Sequence, residues 1–196
     1  MSQSKKIVLR IYFIISALFV LDCLLYYFKE ISLSGYYSDV VLSWLWLISS
    51  FAIIILFWKK LLAKLFLAAI IVTFAISIIA MMLPFYALLL SSTSLGLYQN
   101  KDLNKNYRAQ IVGYSVMVHP WLEVIEKKGL FEKRIIKCTD PQLMNDNLEI
   151  KIRTAKDILF KSETDSTLTL TLFYGGPNKT ITFNKDTGNI TAIKNN

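Results

Sequence analysis

The sequence is poor in the residues that most often carry chemistry. It has one histidine, His119, and two cysteines, Cys23 and Cys138, in 196 residues. A zinc site needs several nitrogen or sulfur ligands, and a lone histidine beside Pro120 without a Cys, Asp or Glu cluster supplies no such set. Cys23 falls in an apolar stretch and Cys138 in the polar half, so no disulfide between them is expected. Gly113-Tyr114-Ser115-Val116-Met117 lacks the second glycine of a hydrolase elbow. On one strand Ser115 and His119 would stand about 13 Å apart, beyond hydrogen bonding. There is no phosphate loop and no dinucleotide fingerprint. The sequence therefore predicts a protein that is not an enzyme, with no catalytic, cofactor-binding or metal-binding residues.

Charge is missing where it matters for architecture. From Leu65 to Leu90 no charged side chain occurs, and 26 residues at 1.5 Å each make a helix of about 39 Å, longer than the ~30 Å core of a bilayer. The run is apolar on every side, without the polar stripe of a soluble amphipathic helix. Pro84, near its far end, is read as the helix end or a kink, with Phe85 and Tyr86 at an interface. Two further apolar runs precede it. Ile7–Phe28 follows Lys5 and Lys6 like a signal peptide, but no small-x-small cleavage site follows it, so it reads as an uncleaved span. Val40–Trp58 is a second, with Trp44, Trp46 and Trp58 towards its ends.

The net charge of +8 does not point to nucleic acid. Seven Lys/Arg flank the apolar runs against Asp22, Glu30 and Asp39, and the polar half mixes its signs without an aromatic-interleaved basic stripe. Basic flanks of this kind face anionic membrane lipids. Lys5, Lys6 and Arg10 before the first span, and Lys59, Lys60 and Lys64 before the third, outweigh the connector 29–39. The positive-inside rule then sets the N-terminus inside and, after three crossings, the C-terminal region outside, as in a bacterial inner-membrane protein.

After residue 90 the composition becomes that of a soluble domain. Residues 91–106 read as a linker and 107–196 as a small, mostly antiparallel β domain in an extracytoplasmic compartment. Tyr107–Val118 is rich in Ile, Val and Tyr; Trp121–Glu126 and Leu130–Lys137 read as a hairpin about Gly129. Asp140-Pro141 opens an irregular connector, Leu148–Arg153 alternates as a half-buried strand, and 155–160 fits no single state. Thr167–Tyr174 alternates strictly, leucines on one face and threonines on the other. With Thr180–Phe183 and Asn189–Lys194 it predicts a three-stranded meander.

Asp22 is the residue that strains a purely structural reading. It lies 12 positions after Arg10, about 18 Å along a helix and past mid-membrane, where a carboxyl costs about 2.5–3.5 kcal/mol. Either it is a packing or assembly contact, bonded to Ser49, Ser50, Thr73, Ser77 or another subunit, or it is a proton or ion relay. The expected function is accordingly a non-enzymatic, membrane-anchored interaction protein. Its outer β domain would bind an envelope protein or peptide, as an immunity protein or an accessory subunit of an envelope complex does. The alternative is a transporter or channel subunit that uses Asp22.

Overall fold

The computed structural model describes residues 3–79, 95–114, 119–143 and 151–195, and the chain divides into two compact units, Met1–Thr93 and Ser94–Asn196. The first unit is helical: α1 (Gln3–Lys29), a short strand β1 (Ile31–Leu33), α2 (Tyr36–Leu56) and α3 (Leu61–Ile79). Two of these helices, α1 and α2, are long and apolar enough to cross a membrane. Phe13, Leu21, Leu45 and Ile55 point outward from them, which suits an apolar surrounding. Between the helices Phe19 stacks on Trp46 with ring centroids 4.9 Å apart, and Tyr12 meets the edge of Phe66 at 6.4 Å.

The helices begin earlier than the hydropathy pattern indicates. α2 starts at Tyr36, not Val40, because Gly35 takes a left-handed φ of 90° that ends the connector and lets Ser38 N–H bond the Gly35 carbonyl. α3 starts at Leu61 and so includes Lys64, since a basic residue is at no disadvantage in an exposed first turn. Of the expected third span, residues up to Ile79 are described as helix; Pro84, Phe85 and Tyr86 lie outside the described residues.

The second unit carries β2 (Leu97–Asp102), β3 (Tyr107–Val112), β4 (Trp121–Lys128), β5 (Phe131–Thr139), a short helix α4 (Asp140–Leu143), a 3-10 turn (Ile152–Thr154), β6 (Asp157–Glu163), β7 (Thr167–Phe173), β8 (Lys179–Asn184) and β9 (Ile190–Asn195). Strands β2 to β5 pair antiparallel in chain order, and β6 to β9 do the same in a second sheet. The apolar core lies between them. Ala109, Ile111, Leu122, Val124 and Ile136 from the first sheet meet Ile158, Leu168, Leu170, Leu172, Ile181 and Phe183 from the second, all buried.

Three expectations change here. The stretch read as a linker contains β2, held to β3 by backbone pairing and to the second sheet by Gln99 Nε2 on the Ala155 carbonyl (2.7 Å) and Lys101 on Asp157 (2.6 Å). Residues 152–154 form a 3-10 turn where a strand was expected; Leu148 and Ile150 lie outside the described residues. The meander has a fourth strand, since the ambiguous 155–160 stretch supplies most of β6.

Candidate functional site

Of the expected polar contacts, the structure brings few together. The Asp22 carboxyl lies within hydrogen-bonding reach of the Leu33 backbone N–H, so it ties α1 to the β1 segment. Its expected partners look elsewhere. Ser49 Oγ donates to the Trp46 carbonyl at 2.9 Å. Ser50 Oγ lies 2.8 Å from the same carbonyl and 3.4 Å from the Tyr12 hydroxyl. These serines bond back to their own helix, as hydroxyls mid-helix commonly do. The side chains of Thr73 and Ser77 lie outside the described residues.

In the β unit the alternation of β7 creates two unlike faces. Leu168, Leu170 and Leu172 are wholly buried in the core, so Thr167, Thr169, Thr171 and Phe173 project from the other side. On β8 the same outward face carries Thr180 and Thr182. The hydroxyls pair across the strands, Thr171 with Thr180 at 2.9 Å and Thr169 with Thr182 at 3.1 Å. Each bond engages one hydroxyl hydrogen of its pair, and Thr180 is 5% exposed. Leu159 on β6, opposite Thr171, and Phe173 beside it are 40% and 37% exposed. The two central strands place no charge on this face.

The outward face of the first sheet is the reverse: charged, yet buried. Arg108, Gln110, Glu123 and Glu132 are each at most 5% exposed. Arg108 forms an ion pair with Glu132 and also donates to Gln110 and Asn100. Gln110 Nε2 donates to Glu123 at 2.8 Å, and Glu123 also accepts from Trp121 Nε1 at 2.8 Å and Arg134 at 2.9 Å. Two cations and two carboxylates thus balance. Arg108 Nε has no partner among the described residues. Nothing in the alternating pattern of β3 and β4 distinguishes such a face from a solvated one.

The one cysteine of the β unit is unsuited to attack. Cys138 is buried, and burial together with the nearby Asp140 pushes its thiol up to about 12, so it stays protonated at neutral pH. Burial, then Asp140 and Cys138, also raises the Tyr174 phenol. Lys179, almost wholly buried, donates to the Leu143 carbonyl at 2.8 Å. Ser115 lies outside the described residues, and His119 is exposed. Among the described residues no three His, Cys, Asp or Glu side chains are grouped to share a metal ion. No family model, no curated protein and no solved structure matches the chain.

Proposed function

We propose that the chain is a non-enzymatic, membrane-anchored interaction protein whose β unit binds an envelope protein or peptide through the threonine face of β7 and β8. The observation that carries this is the cross-strand pairing of Thr169 with Thr182 and Thr171 with Thr180 beside exposed Leu159 and Phe173. Binding a protein is penalised by polar groups that lose water and find no partner. Hydroxyls paired with each other lower that penalty, and interface centres are depleted in charge. In this reading the N-terminus is inside, three helices cross a bacterial inner membrane, and the β unit works outside it, as an immunity protein or an accessory subunit of an envelope complex would. The basic residues before the first and third spans support that orientation.

A photo-crosslinking residue placed at Thr169 or Thr182 in living cells should capture one discrete protein, while one at Lys133, on the other sheet, should not. Thr169→Lys should abolish co-purification of that protein without removing the β unit's cooperative melt. Identical capture from all three positions would refute the assignment of this face.

Asp22 separates this reading from transport. Asparagine keeps an acceptor for the Leu33 N–H, so Asp22→Asn should leave protein level and partner capture unchanged. Asp22→Leu should lower thermal stability in detergent by about 0.6–2 kcal/mol, the range for one hydrogen bond between membrane segments. An Asn variant that is fully assembled and functionally dead would instead mark Asp22 as a group that must ionise.

A further inference from the structure

The β unit is electrically lopsided along its strands. Register places Leu97, Val112, Trp121 and Thr139 side by side at one end, the end at which the chain enters from the N-terminal half. The exposed cations there include Lys137, Lys151, Arg153 and Lys156, and none of these four is in an ion pair among the described residues. The acids nearby, among the described residues, are already engaged: Glu123 and Asp140 are buried, and Asp157 holds Lys101. At the other end three cations are held by acids, Lys127 by Asp102, Lys128 by Glu126 and Lys185 by Glu163, while Lys105 and Lys133 are exposed beside them.

Aromatic and aliphatic groups sit among these cations. Arg153 lies 5.3 Å from the centre of the Tyr98 ring, and Tyr98 is 43% exposed. Lys137 lies 4.5 Å from the Trp121 ring, which Tyr114 meets edge-on. Leu95, just before β2, is 71% exposed. Amphipathic rings with Lys and Arg around them are the chemistry of the membrane–water interface, and each cation there is drawn to anionic headgroups. Leu97 is seven residues from Leu90, where the apolar run ends, a tether of about 24 Å at most.

We infer that this end of the β unit docks on the anionic phospholipid headgroups of the membrane in which the chain is anchored, Lys137, Lys151, Arg153 and Lys156 contacting phosphate and Tyr98 and Leu95 entering the interface. The inference rests on the membrane reading of the N-terminal helices. It differs from the partner-binding proposal in surface and ligand: one end of the sandwich binds lipid, while the threonine face remains for protein.

The test uses the full chain in lipid nanodiscs, with Cys23→Ser and a fluorophore on Thr154→Cys. Headgroup spin-labelled lipid should quench this probe at least about twofold more in discs containing phosphatidylglycerol than in discs of phosphatidylcholine alone. The difference should vanish near 1 M salt, where charges are screened beyond about 3 Å. Neutralising the four cations with glutamine should have the same effect, and a probe on Asp165→Cys at the opposite end should be unaffected throughout. Equal quenching in both lipids, no quenching at residue 154, or equal quenching at residue 165 would overturn the docking. The lipid and salt comparisons need no altered cation, so misfolding of the fourfold variant would not obscure the result. Retention of the chain in discs reports the membrane reading separately: retained protein without lipid-dependent quenching refutes the docking alone, and protein that fails to enter discs refutes both.

Discussion

Leu170→Asp should abolish the cooperative melt of the β unit, whereas Thr169→Asp should only lower its midpoint. Leu170 is wholly buried, flanked in register by Phe160 on β6 and Ile181 on β8. Replacing it forfeits about 1.5–3 kcal/mol of apolar burial and strands a carboxyl in a dry core at a further cost of about 2–7 kcal/mol. Against a total stability of about 5–15 kcal/mol for a domain, that is enough to unfold it. One residue earlier in the strand, Thr169 faces outward, and aspartate there loses chiefly the bond to Thr182, roughly 1 kcal/mol. Circular dichroism of a fragment beginning at Ser94 is the measurement. A fragment beginning near Asn100 would cut through β2 and is not equivalent. Equal damage from both substitutions would mean that both faces of β7 are core.

The second large effect belongs to the buried ion pair. Arg108→Met takes from the buried Glu132 the guanidinium it pairs with, and Glu132→Leu takes the carboxylate from the buried Arg108; each should cost about 3–5 kcal/mol. The double variant should cost less than either single one, because taking both charges out of water is itself expensive. Urea denaturation of the four forms gives the coupling directly. Additive losses would show that Arg108 and Glu132 stabilise the sheet through separate contacts, Arg108 through Gln110 and Asn100.

How much of this is legible in the sequence depends on how local the cause is. The faces of β7 can be read from residues 167–173 alone, because the alternation is contained in the segment, and the turns at Gly175 and Gly188 lie shortly after it in the chain. The hairpin of β4 and β5 is legible for the same reason. β2 is not: Leu97-Tyr98-Gln99-Asn100-Lys101-Asp102 has only two apolar residues, and it is held by backbone pairing to β3 and by Gln99 and Lys101 to Ala155 and Asp157, over fifty residues away. The buried charges of β3 and β4 are hidden by their own pattern. Arg108 and Gln110 alternate with Ala109 and Ile111 as they would on a solvated strand, and only the ring of partners from β4 and β5 shows otherwise. Asp22 attracts attention by its cost in an apolar helix, but its nearest backbone donor, Leu33, belongs to a connector whose short strand carries no signal of its own.

Each sheet of the β unit is built from strands consecutive in the chain, β2 to β5 and then β6 to β9. Pairing among these strands therefore closes only short loops, while the core contacts between the two sheets join residues far apart in the chain. The order of synthesis adds an asymmetry. The first meander is complete by Thr139, while the leucines that cover Ile111, Leu122 and Val124 arrive only with residues 168–172. A nascent chain paused between these points displays a finished sheet with its greasy side bare. Slowed translation or truncation after Thr139 should thus yield an aggregation-prone half, whereas truncation before Tyr107 should leave only the apolar helices and their polar tail.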